Sequence, residues 1–430
     1  MLERNNKRLI NAWASYDWSN SVYNLIVTTA IFPVYYLGVT REAFGGDLVK
    51  FFGYEVSNSV LYSYAISFSF LIIVVISPIL SGIADYGGIK KRFMQFFTWL
   101  GAISCIGLYF FNGPNIEYGI LCAVLASVGY AGSLVFYNGF LPEVATVDMM
   151  DKVSARGFAM GYAGSVILLI VNLVLLLNFD SFGFQDKSSA TQFGFILVGI
   201  WWIGFAQIAF YYLKDRGERK KITASTLKHG LHELKKVMKA VRSTKVTGRF
   251  LLSFFLFSMG VQTVMLLAPL FGEKEIGMGA DEMIVIVLIL QILAIAGAFT
   301  FAWLSSKKGN VFSIGIALII WIGICISGYF LQEKTTFYIL AAMLGFVMGG
   351  IQSVSRSTYS KLIPEGSKDT ASYFSFYDVT EKLAIVIGSF SYGLIDQITG
   401  SMRNSMVFMS LFFISGFIIL QLVKLKRSHS

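Results

Sequence analysis

The sequence predicts an all-α membrane protein of twelve transmembrane helices in two pseudo-symmetric six-helix bundles. Three observations predict it. The 430 residues are 55% hydrophobic and only 14% charged, with a mean hydropathy of +0.66, whereas a soluble domain carries about 25% charged residues. Apolar runs of roughly 20 residues, enough to cross about 30 Å of hydrocarbon, recur along the whole chain. The two halves also echo each other: "YNGFLPEV" at 137–144 and "YSKLIPEG" at 359–366 share Tyr, two apolar residues and Pro-Glu in one register, 222 residues apart. A β-barrel would show short alternating segments instead.

Runs bounded by charge or by Gly and Pro place the spans near 15–38, 59–83, 92–112, 117–138, 157–179, 191–213, 249–271, 282–304, 311–331, 335–357, 372–395 and 404–424. The first run is too long and aromatic for a cleaved signal peptide, so it is expected to stay in the mature protein. With the N-terminus inside, 28 of the 35 Lys and Arg fall on the inner side and 6 outside, leaving Lys382 within a span. The positive-inside rule then puts both termini in the cytoplasm. The net charge of +10 follows from that topology and from affinity for an anionic leaflet, with no nucleic-acid partner required.

The expected domains are an N-terminal bundle over 1–213, a basic linker over 214–248 and a C-terminal bundle over 249–430. Within the linker, Leu227, Leu231, Leu234, Met238 and Val241 form an apolar helical stripe, and Lys228, Lys235, Lys236, Lys239 and Arg242 occupy the other face. That is the pattern of a helix lying on a membrane surface, or of a charged connector with some helicity.

The polar residues inside the spans are the candidate functional set. On a helix, Asp17, Asn20, Ser21, Asn24 and Thr28 share an arc of about 100°, and a polar stripe belongs in the protein interior, away from lipid. Span eleven carries Asp378, Glu381 and Lys382 on one face, with Asp378 and Lys382 at i and i+4. Arg356 is expected to neutralise the remaining acid. This cluster reads either as a salt-bridged latch or as a proton or substrate site, and Asp17, Asp378 and Glu381 are the candidate protonation switches. Gln262, Gln291, Asn172 and Gln352 are lone mid-span polar groups, suited to substrate or to helix-to-helix hydrogen bonds.

Other chemistries find no footing. Cys105, Cys122 and Cys325 lie in apolar runs and His229, His232 and His429 lie outside the spans, so neither a disulfide frame nor a metal site is expected. The spans offer no Ser/His or Cys/His constellation and the chain has no GxxxxGK[ST] loop. The expectation is a non-enzyme without cofactors. "GYAGS" at 161–165 and "GFVMGG" at 345–350 read as close helix packing.

"SGIADYGGIKKRF" at 81–93 resembles the loop signature of the Major Facilitator Superfamily. Ser81, Asp85, Gly88, Lys90 and Lys91 match it, and Tyr86 stands where the family has Arg. The glycines permit a tight turn, and a carboxylate at a helix end bonds to neighbouring backbone or basic groups; in the family this latches the inward gate. The equivalent loop "LSSKKGN" at 304–310 keeps Gly309 but has Ser306 in place of the acid. Parallel six-span repeats joined by a long inner loop fit the same superfamily.

Three further segments narrow the resemblance: "NAWASYDWSNSVYNLIVTTAIFPVYY" at 11–36, "VSARGFAMGYAGS" at 153–165, and "GGIQSVSRSTYSKLIPEG" at 349–366 followed by "YFSFYDVTEK". They resemble the bacterial relatives of the fungal vacuolar, autophagy-linked amino-acid effluxers. The resemblance implies twelve spans and amino-acid export in fungi. Carried over, Tyr16, Asp17, Asn20 and Asn24 match the first-span motif, Ser154, Arg156, Gly157, Gly161 and Tyr162 the entry to span five, Arg356 and Tyr359 span ten, and Tyr377 and Lys382 span eleven. The expected function is alternating-access movement of a small neutral or zwitterionic solute, with protons as the candidate coupling ion, by a monomer in a bacterial inner membrane. An exporter of amphipathic drugs or lipids, or a receptor or scaffold that no longer transports, are the alternatives.

Overall fold

Long apolar stretches with satisfied backbones become long helices, the arrangement a bilayer demands. The computed structural model describes residues 3–215 and 224–424. Part of the linker's basic run (216–223), the side chains of Leu227, Lys228 and His229, and His429 lie outside the described residues.

The chain runs through α1 (Lys7–Val22), a π-helical stretch (Tyr23–Ala30), α2 (Phe32–Phe44), β1 (Leu48–Phe51), β2 (Tyr54–Ser57), α3 (Asn58–Gly87) and α4 (Lys90–Gly107). It continues through α5 (Ile116–Asn138), the single turn α6 (Leu141–Val144), α7 (Met150–Leu177) and α8 (Lys187–Tyr212). The linker contributes α9 (Ala224–Ser243), and the second half is α10 (Lys245–Ile276), α11 (Ala280–Lys308), α12 (Asn310–Tyr329), α13 (Lys334–Leu362), α14 (Thr370–Thr399) and α15 (Met402–Leu420).

Ten of these helices are long and apolar enough to cross a membrane, and α1 with its π-helical extension and α2 forms an eleventh candidate bent by 43°. The bend falls where Pro33 opens α2, a position at which proline's missing N–H costs nothing. α14, the eleventh span expected from sequence, is 30 residues long but carries Asp378, Glu381 and Lys382 and is not among the ten. The hairpin β1–β2, paired antiparallel with Leu48 opposite Ser57, was not anticipated; it extends the connection between the first two spans.

Buried apolar side chains fall into two main clusters. One runs from Leu9 to Leu213, joined by Ala371; the other runs from Val237 to Val423, joined by Tyr162. The two crossovers, Ala371 and Tyr162, mark where the bundles meet. Glycines bring helices together as the "GFVMGG" stretch suggests. A Cβ at Gly345 or Gly349 would collide with the backbone of Leu290 or Ala294 on α11, so α13 and α11 touch backbone to backbone.

The linker helix α9 lies against the protein. Val237 and Val241 are buried while Leu231 and Met238 are exposed, so the face turned inward takes in only part of the expected apolar stripe. Gly230 sits against Gly82 and Ile83 near the end of α3, where no Cβ on either glycine would fit. Lys236 reaches Asp369 at the start of α14 at 3.5 Å. α9 therefore packs on the protein, across the face that carries the linker.

Candidate functional site

Between the bundles lies a cavity of about 200 Å³. The first span supplies Asp17, Ser21, Tyr23, Asn24 and Thr28; α13 supplies Gln352, Ser355 and Arg356; α14 supplies Tyr377, Glu381 and Lys382. Gln262 and Gln291 come from α10 and α11. The expected first-span stripe lines this cavity with one exception. Asn20 is fully buried and does not line the cavity. The π-helical turns that begin at Tyr23 widen the helix beside Asn24 and Thr28, a distortion that concentrates at functional places.

The charges pair differently from the sequence expectation. Arg356 does not neutralise the α14 acids; its Nη1 meets Asp17 Oδ2 at 3.0 Å. Nη1 also donates to Asn138 (3.3 Å), Nε to the Ser154 hydroxyl (3.0 Å) and Nη2 to the Ser154 carbonyl (2.8 Å). The guanidinium lies 4.0 Å from the Phe158 ring centroid and 4.9 Å from that of Trp13. The physical reason is depth. Arg356 lies about two turns from the end of α13, level with α1 and α7, and the aromatic walls favour a flat cation there.

The α14 set is left to itself. Lys382 contacts Glu381 at 3.1 Å and Asp378 at 3.6 Å, and Gln262 donates to Glu381 at 3.1 Å. Two carboxylates share one ammonium. Asp378 is 3% exposed, lies behind the cavity wall, and its Oδ2 has no hydrogen-bond partner among the described residues. Tyr377 stacks on Phe254 with ring centroids 4.2 Å apart. Gln352 accepts from Tyr162 at 2.6 Å. Asn172 instead bonds the Leu168 carbonyl, away from the cavity.

On the linker side of the cavity the bundles are bolted together. Asp85 accepts from the Ser372 backbone N–H (2.7 Å), the Ser372 hydroxyl (2.7 Å) and the Ala371 N–H (3.2 Å). These are first-turn donors of α14, which leave a helix start positive. Gly88 holds the turn after α3 with φ +61°, and Ser81 bonds back to Pro78. Lys90 is buried, donating to Glu143, Thr370 and the Gly139 carbonyl. The Lys91 backbone N–H donates to Asp215.

The second loop also bonds to the first bundle, with the acid on the other side. Ser306 bonds only locally, to Trp303, but Ser305 donates to Asp151 at 2.9 Å. Asp151, at the start of α7, also accepts from Asn310 (2.9 Å), Ser357 (2.6 Å) and Lys361 (2.6 Å). One buried carboxylate from the first bundle gathers donors from three helices of the second. Sequence reasoning missed Asp151 because it looked for an acid in the repeat's own loop.

A family profile described as "Vacuole effluxer Atg22 like" matches residues 5–430. The chain belongs to the Atg22-like family. It is 30% identical over 415 residues to the uncharacterized MFS-type transporter YxiO of Bacillus subtilis, covering 96% of this chain and 94% of that one. Autophagy-related protein 22 of Saccharomyces cerevisiae (strain S288c) is 26% identical over 431 residues, covering 87% and 79%. Among solved structures, the major facilitator transporter FucP in its outward conformation aligns with a TM-score of 0.70 at 15% identity over 97% of this chain and 99% of that one. The human organic anion transporter MFSD10 gives 0.71 at 12% identity over 96% and 99%. At these identities the structures establish the major facilitator fold. The Atg22-like chain is a membrane transporter of that type and not an enzyme.

Proposed function

We propose that this protein moves a small zwitterionic solute of the amino-acid class by alternating access through the central cavity, coupled to protons. The single observation that carries the reading is the cavity itself. It sits between the bundles, holds both signs of charge on opposite walls, and is shut on the linker side by bonds that cross between bundles. Asp17 and Arg356 offer an ion pair on one side; Glu381, Gln262 and Lys382 offer acceptors and a cation on the other. A carboxylate suits the guanidinium of Arg356 and an ammonium suits the Asp17 carboxylate beside it. The family's description as vacuole effluxers supports a solute-export role, and the basic linker face is the cytoplasmic one by the positive-inside rule.

Proton coupling rests on the α14 set. Buried Asp378 and half-buried Glu381 against one lysine leave one negative charge uncompensated, and an excess charge at a buried site is costly until a proton or a cationic group answers it. Asp378, with one oxygen unpartnered, is the proton carrier, and Lys382 holds Glu381 when Asp378 is neutral. Uptake of a labelled amino-acid panel into proteoliposomes tests the substrate class. Flux of at least one member above empty liposomes is expected; a flat panel would remove the class. The aromatic lining of the cavity, with Phe70, Tyr130, Phe158 and Phe257, favours amphipathic compounds as the second reading, which a drug-resistance panel on overexpression separates.

A further inference from the structure

The cavity and the gate share few atoms. Asp85, Asp151 and Lys90 make their bonds between the bundles outside the cavity lining, whereas Asp17, Asn138 and Arg356 belong to both. A solute in the cavity therefore reaches the closed side through this cluster, with the Tyr162–Gln352 hydrogen bond beside it. Arg356 is fixed by four of its five N–H donors: to Asp17, to Asn138, and twice to Ser154. Asp17 Oδ2 also accepts from Tyr137 at 2.8 Å. The space for this ion pair is made by Gly157, where an added Cβ would overlap Asp17 Oδ2 and lie 2.8 Å from Arg356 Nη2.

We propose that Arg356 is the receptor for the carboxylate of the transported solute, and that this carboxylate opens the linker-side gate by taking Nη1 from Asp17. The inference rests on the reading of the cavity as the solute site. A buried ion pair cannot simply be pulled apart, because each partner would be left charged and unpaired. Exchange of one carboxylate for another avoids that state: the guanidinium keeps an anion throughout, and its planar fork accepts the newcomer in the same geometry. Asp17 keeps the Tyr137 hydroxyl, and its freed charge is answered by the ammonium that a zwitterion brings with it. A neutral solute supplies nothing to Arg356, and a plain carboxylate leaves Asp17 unanswered. The ion pair thus reads the solute's charge pattern before the bundles separate. Gly157 is a positioning residue for the pair.

The test places spin labels at Lys152→Cys and Lys308→Cys, two exposed positions on α7 and α11 beside the Asp151 latch, with Cys105, Cys122 and Cys325 replaced by alanine. The full chain is reconstituted in liposomes and the label-to-label distance is measured with each free amino acid and with the matching amino-acid amide, alongside flux of the same compounds. Free acids that are transported lengthen the distance, and their amides act at least about thirtyfold more weakly, the loss expected for one charged partner of a buried pair. Asp17→Asn lengthens the distance without solute. Gly157→Ala does the same, and serves if Asp17→Asn fails to fold. Amides as effective as acids, or a short distance in both variants, overturn the inference while leaving transport intact. Absence of flux for every compound overturns the substrate reading and the carboxylate assignment together.

Discussion

Asp151→Asn isolates the gate from the cavity, because Asp151 lies outside the cavity lining and holds four donors from the opposite bundle. The amide can accept one or two of those hydrogen bonds but offers Lys361 no countercharge. Removing one partner of a buried pair costs about 3–5 kcal/mol. Lys361 retains 16% side-chain exposure and finds water once unpaired, which lowers the cost below that range to about 2–3 kcal/mol. That cost falls only on the arrangement in which the bundles touch, so it changes the ratio of shut to open gate by roughly 30- to 150-fold. Ser372 supplies the readout. Its backbone N–H donates to Asp85 in the other latch and exchanges with solvent only when the bundles part. Hydrogen exchange resolved to this amide should quicken by that factor in Asp151→Asn, although Asp151 touches neither residue. Unchanged exchange at Ser372, with the variant folded, would refute the idea that the two latches open as one rigid unit.

Further outcomes follow from individual contacts. Asp378→Asn should abolish accumulation driven by an imposed proton gradient while sparing solute exchange; full pH-driven accumulation in the variant would return Asp378 to a structural latch. Gly230→Val forces side-chain atoms onto Ile83, an overpacking cost of about 1–3 kcal/mol, and should loosen α9 so that limited proteolysis cuts the linker faster; an unaltered cleavage rate would contradict the docking described for α9. Asp186 caps α8, and its bond from the Ser189 backbone N–H holds its carboxyl below the usual range. A depressed acid stabilises above its unfolded value of about 3.9 and loses that contribution as pH falls through the folded value. Asp186→Ala should therefore cost about 1 kcal/mol at neutral pH and nothing in strong acid, read as exchange at the start of α8; a pH-independent effect would exclude the charged cap.

The fold was legible because a bilayer leaves so few options. Apolar runs of spanning length, a six-and-six division around the basic linker and the repeated Pro-Glu segment led to the major facilitator arrangement, whereas the partner of Asp85 at the α14 N-terminus came only from the structure. Partner choice was not legible. Arg356 was assigned to the α14 acids because they were near in sequence, whereas the structure joins it to Asp17, 339 positions away. Of the residues grouped on one helical arc, Asp17, Ser21, Asn24 and Thr28 line the cavity and Asn20 does not, since an arc of about 100° is wider than the strip of helix that faces the cavity. The second latch escaped notice because exchange of acid and hydroxyl between bundles preserves the bond while erasing the repeat. Linker amphipathicity, likewise, does not say whether an apolar face meets lipid or protein; the Gly230–Gly82 contact does.

The most direct test of the account uses proteoliposomes with a trapped pH dye and no other gradient, loaded with wild-type protein or with Asp378→Asn, to which pooled amino acids, sugars and organic acids are added in turn. Proton movement with the amino-acid pool alone, lost in Asp378→Asn, is the predicted result. Proton movement with sugars or organic acids but not amino acids, or an identical signal from the variant, would contradict it.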